Sequence, residues 1–509
     1  MKRVKANHSY SRIIKSTSII GGAQGINMLV GMIRVKFVAV LIGPIGVGLV
    51  GTYRAMIQLI GTFAGLGLQS SAVRDIAEAV GSGDEGEVGR IVLTVRRMCW
   101  LTGCLGALLT ALFSTKLSLL TFNDTDHALE ITLVGLTILF TNVQGGQMAI
   151  IQGMRRIGDL ALLNLIGVIV GSIVSVGLYA WLGLRGVVPA ILALGLIQLV
   201  VSWWFARKVQ VLRVQMTWRE SFRAAGGMVQ LGLALMWSGL MVAGVAYLTR
   251  ILIVRDIDLV AVGIFTAAFS LSGMIVNFVL GAMGADYYPS LTAISSDHKK
   301  MSQLVNQQTE VGLLLALPGL LGTLALAPWA IKLFYTSDFW AAAELLRWFS
   351  LGCLGRVISW PLGYVMLAKG KSAIFAGVQT LFNIVHVCLI LIGIKYMGLV
   401  GVSIAFFGLY VFSTVIVYMI ARRLIGFSWS RGVWSLLGIM VPVVFATFVG
   451  TKTTSDLHST LVGSVVTLAV GVLCLRGLVL RLGSDHKVCQ IVARVPLLNR
   501  IIANGEARG

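Results

Sequence analysis

Three observations place this chain among all-α membrane proteins: its apolar composition, the length of its uncharged runs, and the side on which its cations gather. Hydrophobic residues make up 57% of the chain and charged residues only 12%, and the mean hydropathy is +0.90. An ordinary soluble domain does not reach such values. Apolar runs recur at about 20 residues, the length at which a helix rising roughly 1.5 Å per residue crosses about 30 Å of hydrocarbon. They predict about fourteen transmembrane helices.

In chain order, the basic segment MKRVKANHSYSRIIKS precedes an apolar run that is too long for a signal-peptide core and lacks a small-residue cleavage site, so it reads as an uncleaved first span. That span ends near Leu41 and the second begins near Gly46, with Gly43-Pro44-Ile45-Gly46 as the turn between them. Spans over 98–115, 130–151, 160–182 and 187–205 complete an N-terminal lobe, 1–206, and a basic linker follows at 207–228. Spans over 229–254, 260–284, 309–331, 347–368, 372–394 and 400–421 form a C-terminal lobe, 229–423. Two additional helices, 433–451 and 459–475, lie in the segment 424–475, and a basic tail runs over 476–509.

With the N-terminus cytoplasmic, most of the 41 Lys and Arg residues fall in the tails and in loops after even-numbered spans. That is the sense the positive-inside rule requires, so the net charge of +21 reflects orientation and no nucleic-acid partner is expected. The six cysteines are scattered and form no CxxC spacing, and neither a metal nor a cofactor is expected.

The chain also repeats itself. Gly146 to Gly195 resembles Gly363 to Gly408, pairing Gly153 with Gly370, Gly183 with Gly398 and Gly186 with Gly401. Arg34 and Gly48 pair with Arg250 and Gly263 at the same offset of about 216 residues. Two parallel six-helix repeats around a central cavity are therefore expected, related by an axis along the membrane normal.

Cations inside the first two spans point to what the cavity holds. Arg34 and Lys36 lie in span 1 and Arg54 in span 2, the two arginines at matching depth about 10 to 12 Å below one surface. No acidic residue lies nearby in sequence, and an intramembrane cation is costly unless it faces water or a partner. A duplicated bundle with a cationic site between its halves is transporter architecture.

Four stretches carry a family resemblance: IGPIGVGLVGTYRAMIQLIGTFAGLGLQ, IIQGMRRIGD, YYPSLTAISSDHKKM and GYVMLAKGKS. In this order the chain resembles the lipid-linked oligosaccharide flippases of the polysaccharide-exporter family, the O-antigen and enterobacterial common antigen translocases. The resemblance implies a core of twelve helices, with two more in some members. It implies movement of undecaprenyl-diphosphate-linked glycans from the cytoplasmic to the periplasmic leaflet of the bacterial inner membrane, in a membrane-lipid setting, with a polysaccharide polymerase and a chain-length regulator as further partners. No catalytic residue is implied.

For a diphosphate the candidate ligands are Arg34, Lys36, Arg54, Arg250 and Arg356, since guanidinium engages phosphate bidentately. Candidates to stack on sugar rings are Tyr53, Trp237, Tyr247, Trp360 and Tyr364, although aromatics near span ends also form interfacial belts. His386 reads as a packing residue, and Asn142, Gln144, Gln147 and Gln152 either line a polar path or bond neighbouring helices. The alternative function is a cation-coupled multidrug or other lipid-precursor exporter of the same superfamily. It is disfavoured because the acidic residues all fall in loops or near span ends, leaving no midplane carboxylate to hold a coupling cation.

Overall fold

The computed structural model describes residues 2–453 and 456–482; the remainder of the expected basic tail, 483–509, lies outside the described residues. All regular structure among them is helical. The first half holds α1 (Lys2–Gly65), α2 (Leu68–Ser82), α3 (Glu85–Leu112), α4 (Ser114–Phe122), α5 (Ala128–Gly153), α6 (Ile157–Leu182), α7 (Val187–Ala206) and α8 (Trp218–Asp256). The second holds α9 (Leu259–Ala293), α10 (His298–Ala325), α11 (Ala327–Phe334), α12 (Ala342–Ala368), α13 (Ser372–Ile425), α14 (Arg431–Thr453) and α15 (Asp456–Leu482).

Eleven stretches among the described residues are long and apolar enough to cross a membrane. Three of them are too long for one crossing: 42 residues in Gln24–Gly65, 50 in Ile157–Ala206 and 54 in Ser372–Ile425, against the 17 to 25 or so that a bilayer takes. Each is broken at a glycine of positive φ, namely Gly43 at 59°, Gly183 at 57° and Gly398 at 58°, a region L-residues with a side chain avoid. After two of these breaks the backbone returns upon itself. A Cβ on Gly186 would lie 2.6 Å from the Leu178 carbonyl oxygen, and one on Gly401 only 2.0 Å from that of Gly393.

Several helices begin earlier than hydropathy indicates. α3 starts at Glu85, where the Asp84 carboxylate accepts the Glu87 N–H at 2.9 Å. α10 starts at His298, where Asp297 accepts the Lys300 N–H at 3.1 Å. α8 starts inside the basic linker, on a capping box between Thr217 and Glu220. In each case a side chain satisfies an orphan amide at the helix start, so the helix runs on past the end of its apolar face.

Contacts gather into two units, one reaching to Thr266 together with Phe334–Asp338, the other comprising Ala267–Leu333 together with the described chain from Phe339. In the first, α3 packs on α5, α5 on α7, α7 on α6 and α6 on α1, while α8 lies against α1, α2 and α3. Its core centres on Tyr53, Met56, Ile131 and Ile191, with a second cluster around Ile76, Val95 and Ile150. In the other unit α12 packs along α13, and α10 against α12, α14 and α15, with a core around Tyr287, Met301, Val365 and Phe427.

Candidate substrate cavity

The first unit holds a cavity of about 700 Å³. One stripe of α1 lines it, Arg54, Gln58, Thr62 and Gly65, residues three or four apart and therefore stacked on one helix face. Thr137, Thr141 and Asn142 of α5 line it, as do Thr102 of α3, Gln198 of α7 and Met236 of α8. Arg34 joins them from the segment of α1 before Gly43.

The wall mixes polar and apolar residues and carries no carboxylate. Neither Arg34 nor Arg54 has an ion-pair or hydrogen-bond partner among the described residues. They act electrostatically on each other, and Tyr179 of α6 lies within reach of both. The Nδ2 of Asn142 and the Oγ1 of Thr102 are buried without a hydrogen-bond partner. Both residues line the cavity, and leaving a buried polar group unsatisfied is costly. Such a wall offers two planar cations and several neutral hydrogen-bonding groups, the set that an anionic ligand with hydroxyls requires.

The remaining candidate residues lie elsewhere. Lys36 donates to the Tyr335 carbonyl and does not line the cavity. Arg250 turns back on α8, giving Nη1 to the Ala246 carbonyl at 2.7 Å and lying 5.4 Å over the Phe265 ring. Arg356 is half-buried on α12 of the second unit, beside Cys353 and Tyr410. Tyr53 is fully buried; its hydroxyl donates to Glu130 and sits 3.1 Å from His127 Nδ1. Tyr247 is buried with its hydroxyl 2.6 Å from Thr121 Oγ1, and Trp237 is exposed outside the cavity wall. Trp360 and Tyr364 pack on one another at 4.8 Å and against Tyr287 in the second unit.

Sequence reasoning did not single out Gln58, Thr62, Gln198 or Tyr179. For the first two the signal was present, since both continue the Arg54 stripe at helical spacing. Tyr179 and Gln198 come from α6 and α7, and only packing brings them to the site.

The fold defines a class, that of multi-pass helical membrane proteins, and solved members of the MOP superfamily share it. The lipid II flippase MurJ in its inward closed conformation has a TM-score of 0.64 to this chain at 13% identity, covering 90% of this chain and 98% of MurJ. A multidrug resistance MATE family transporter of the MOP superfamily, inward-facing, gives 0.63 at 16% identity, covering 78% of this chain and 95% of its own. Residues 37–344, more than half of the chain, match the family described as polysaccharide biosynthesis protein, and the chain belongs to that family. The lipid III flippases of Escherichia coli K12 and Shigella flexneri are each 25% identical to it over 354 residues, 68% of this chain and 82% of theirs.

Proposed function

We propose that this protein flips an undecaprenyl-diphosphate-linked oligosaccharide, an O-antigen or related surface-polysaccharide unit, from the cytoplasmic to the periplasmic leaflet of a bacterial inner membrane. Both termini face the cytoplasm, two six-helix lobes rock by alternating access, and a polymerase and chain-length regulator take up the product. The observation that carries this reading is the pairing of Arg34 and Arg54 in one carboxylate-free cavity. A diphosphate is the lipid-linked anion best matched to two guanidinium planes, and hydroxyls of the glycan match the amides and hydroxyls of the wall. The relatives named as lipid II and lipid III flippases support the lipid-linked character of the substrate. Cation-coupled drug export, the alternative, requires a carboxylate that this cavity does not present.

The test is complementation of a strain lacking its oligosaccharide flippase. Arg34→Ala or Arg54→Ala is expected to abolish surface polysaccharide at normal protein level, while lipid-linked units accumulate inside. Each loss of a charged hydrogen bond is worth about 1.5 to 3 kcal/mol, roughly 10- to 150-fold in affinity. Normal polysaccharide in both variants refutes the assignment.

A further inference from the structure

A second hollow, of about 1000 Å³, opens on the first unit. α5 forms its floor at Val143 and Gln147; α3 supplies Arg96 and Trp100, α7 supplies Trp203 and Arg207, and the connection from α7 to α8 adds Arg213. Cys99 lines this groove as well as the substrate cavity, so the contact of α3 with α5 separates the two.

Neighbouring arginines show which cations here are structural. Arg97 gives Nη1 to the Met216 carbonyl at 2.9 Å and to Ser221 Oγ at 2.8 Å, and Arg156 gives Nη1 to the Lys208 carbonyl at 2.9 Å. These bonds fasten the α7–α8 connection. Arg96 and Arg213, by contrast, have no hydrogen-bond or ion-pair partner among the described residues. Arg207 lies 5.0 Å over the Trp203 ring, a stacking that leaves its N–H edges open.

The order of residues along the two walls is the informative feature. On α3, Leu108, Cys104, Trp100 and Arg96 are exposed and four apart on one stripe; on α7, Leu196, Val200, Trp203 and Arg207 form a second exposed stripe at helical spacing. Both run from apolar through tryptophan to arginine. Hydrocarbon, interface and phosphate follow one another in the same order across half a bilayer. Asp84 and Glu85 line the groove at the start of α3, where they would accept the ammonium of an amine-bearing headgroup beside the phosphate.

We propose that this groove holds a glycerophospholipid of the bilayer, its phosphodiester among Arg96, Arg207 and Arg213 and an acyl chain laid between α3 and α7. The lipid is distinct from the transported substrate, and the inference does not rest on the proposed transport. The experiment is native mass spectrometry of the full-length protein released from detergent, beside the variants Arg96→Gln/Arg207→Gln and Arg90→Gln. The unsubstituted protein is expected to retain one phospholipid that the double variant loses at least fivefold, while Arg96→Lys keeps it. Arg90→Gln, which removes an exposed cation of α3 outside the groove, keeps it too and controls for a general loss of positive charge. Equal retention by the double variant overturns the proposal, as does release of the bound species by inorganic phosphate, which would make the site one for free anions. A retained mass matching a polyprenyl diphosphate overturns it as well, in favour of a way-station for substrate.

Discussion

Tyr53 and Arg54 are adjacent in sequence yet face opposite environments, because successive helical residues point about 100° apart. Tyr53 is sealed in the core against His127 and Glu130, whereas Arg54 opens into the cavity. Two such steps, about 200°, separate Arg34 from Lys36. Distance to the turn at Gly43 brought Arg34 and Arg54 to one cavity, but the direction each residue faces depends on neighbours far away in sequence. His127, just before α5, has its pKa raised chiefly by its hydrogen bond to Glu130, 2.9 Å away. A raised folded-state value stabilises the protein fully below the unfolded value of about 6.5 and is lost as pH climbs through the folded one. Thermal melts in nanodiscs from pH 6 to 9 are therefore expected to fall for the unsubstituted protein and to flatten for His127→Gln. The effect is roughly 0.5 kcal/mol, since the pair is partly solvated.

Among elements, the helices were largely legible and their ends were not. Apolar runs located the spans, and the Gly-x-x-Gly turns at Gly43, Gly183 and Gly398 punctuated them. What hydropathy missed are the polar first turns of α3, α8 and α10, where Asp84, Thr217 and Asp297 cap the helix beyond its apolar stretch. The turn at Gly398 also relies on a close approach between Gly393 and Gly401. Gly401→Val is expected to force that hairpin of α13 apart at a cost of about 1 to 3 kcal/mol, read as a lowered melting temperature and a broadened elution profile. Gly408, two turns further along the same helix, provides the contrast. A Cβ there would meet the tip of the Leu389 side chain at an ordinary 3.5 Å, so Gly408→Ala is expected to melt and elute as the unsubstituted protein does.

For the molecule as a whole, the orientation inferred from basic residues is checked by labelling in whole cells. In a background without native thiols, Thr125→Cys between α4 and α5 is expected to react with a membrane-impermeant maleimide, and Gln215→Cys between α7 and α8 to resist it. Both positions are exposed; Ser221, in the same basic linker, is buried and holds Arg97, so it would resist from either side. Orientation also sets the energetics. A potential negative inside contributes about 2.3 kcal/mol per charge per 100 mV to outward movement of an anion, so two phosphate charges gain roughly 4.6 kcal/mol. A hundredfold gradient supplies only about 2.7 kcal/mol. Flipping in proteoliposomes is expected to accelerate under an imposed potassium-diffusion potential, and a rate that instead follows pH or sodium alone would contradict this.

The missing carboxylate has an electrical corollary. Two guanidinium charges facing a water-accessible hollow draw mobile anions from the bathing solution, and these become the resident counter-ions of the unloaded carrier. Under the proposed function, loading is then an exchange of the anionic lipid headgroup for these small ions, with a released-ion entropy that fades as salt is added. Sulfate at a given ionic strength should compete more strongly than chloride, and a carrier purified in phosphate buffer arrives at the assay already occupied.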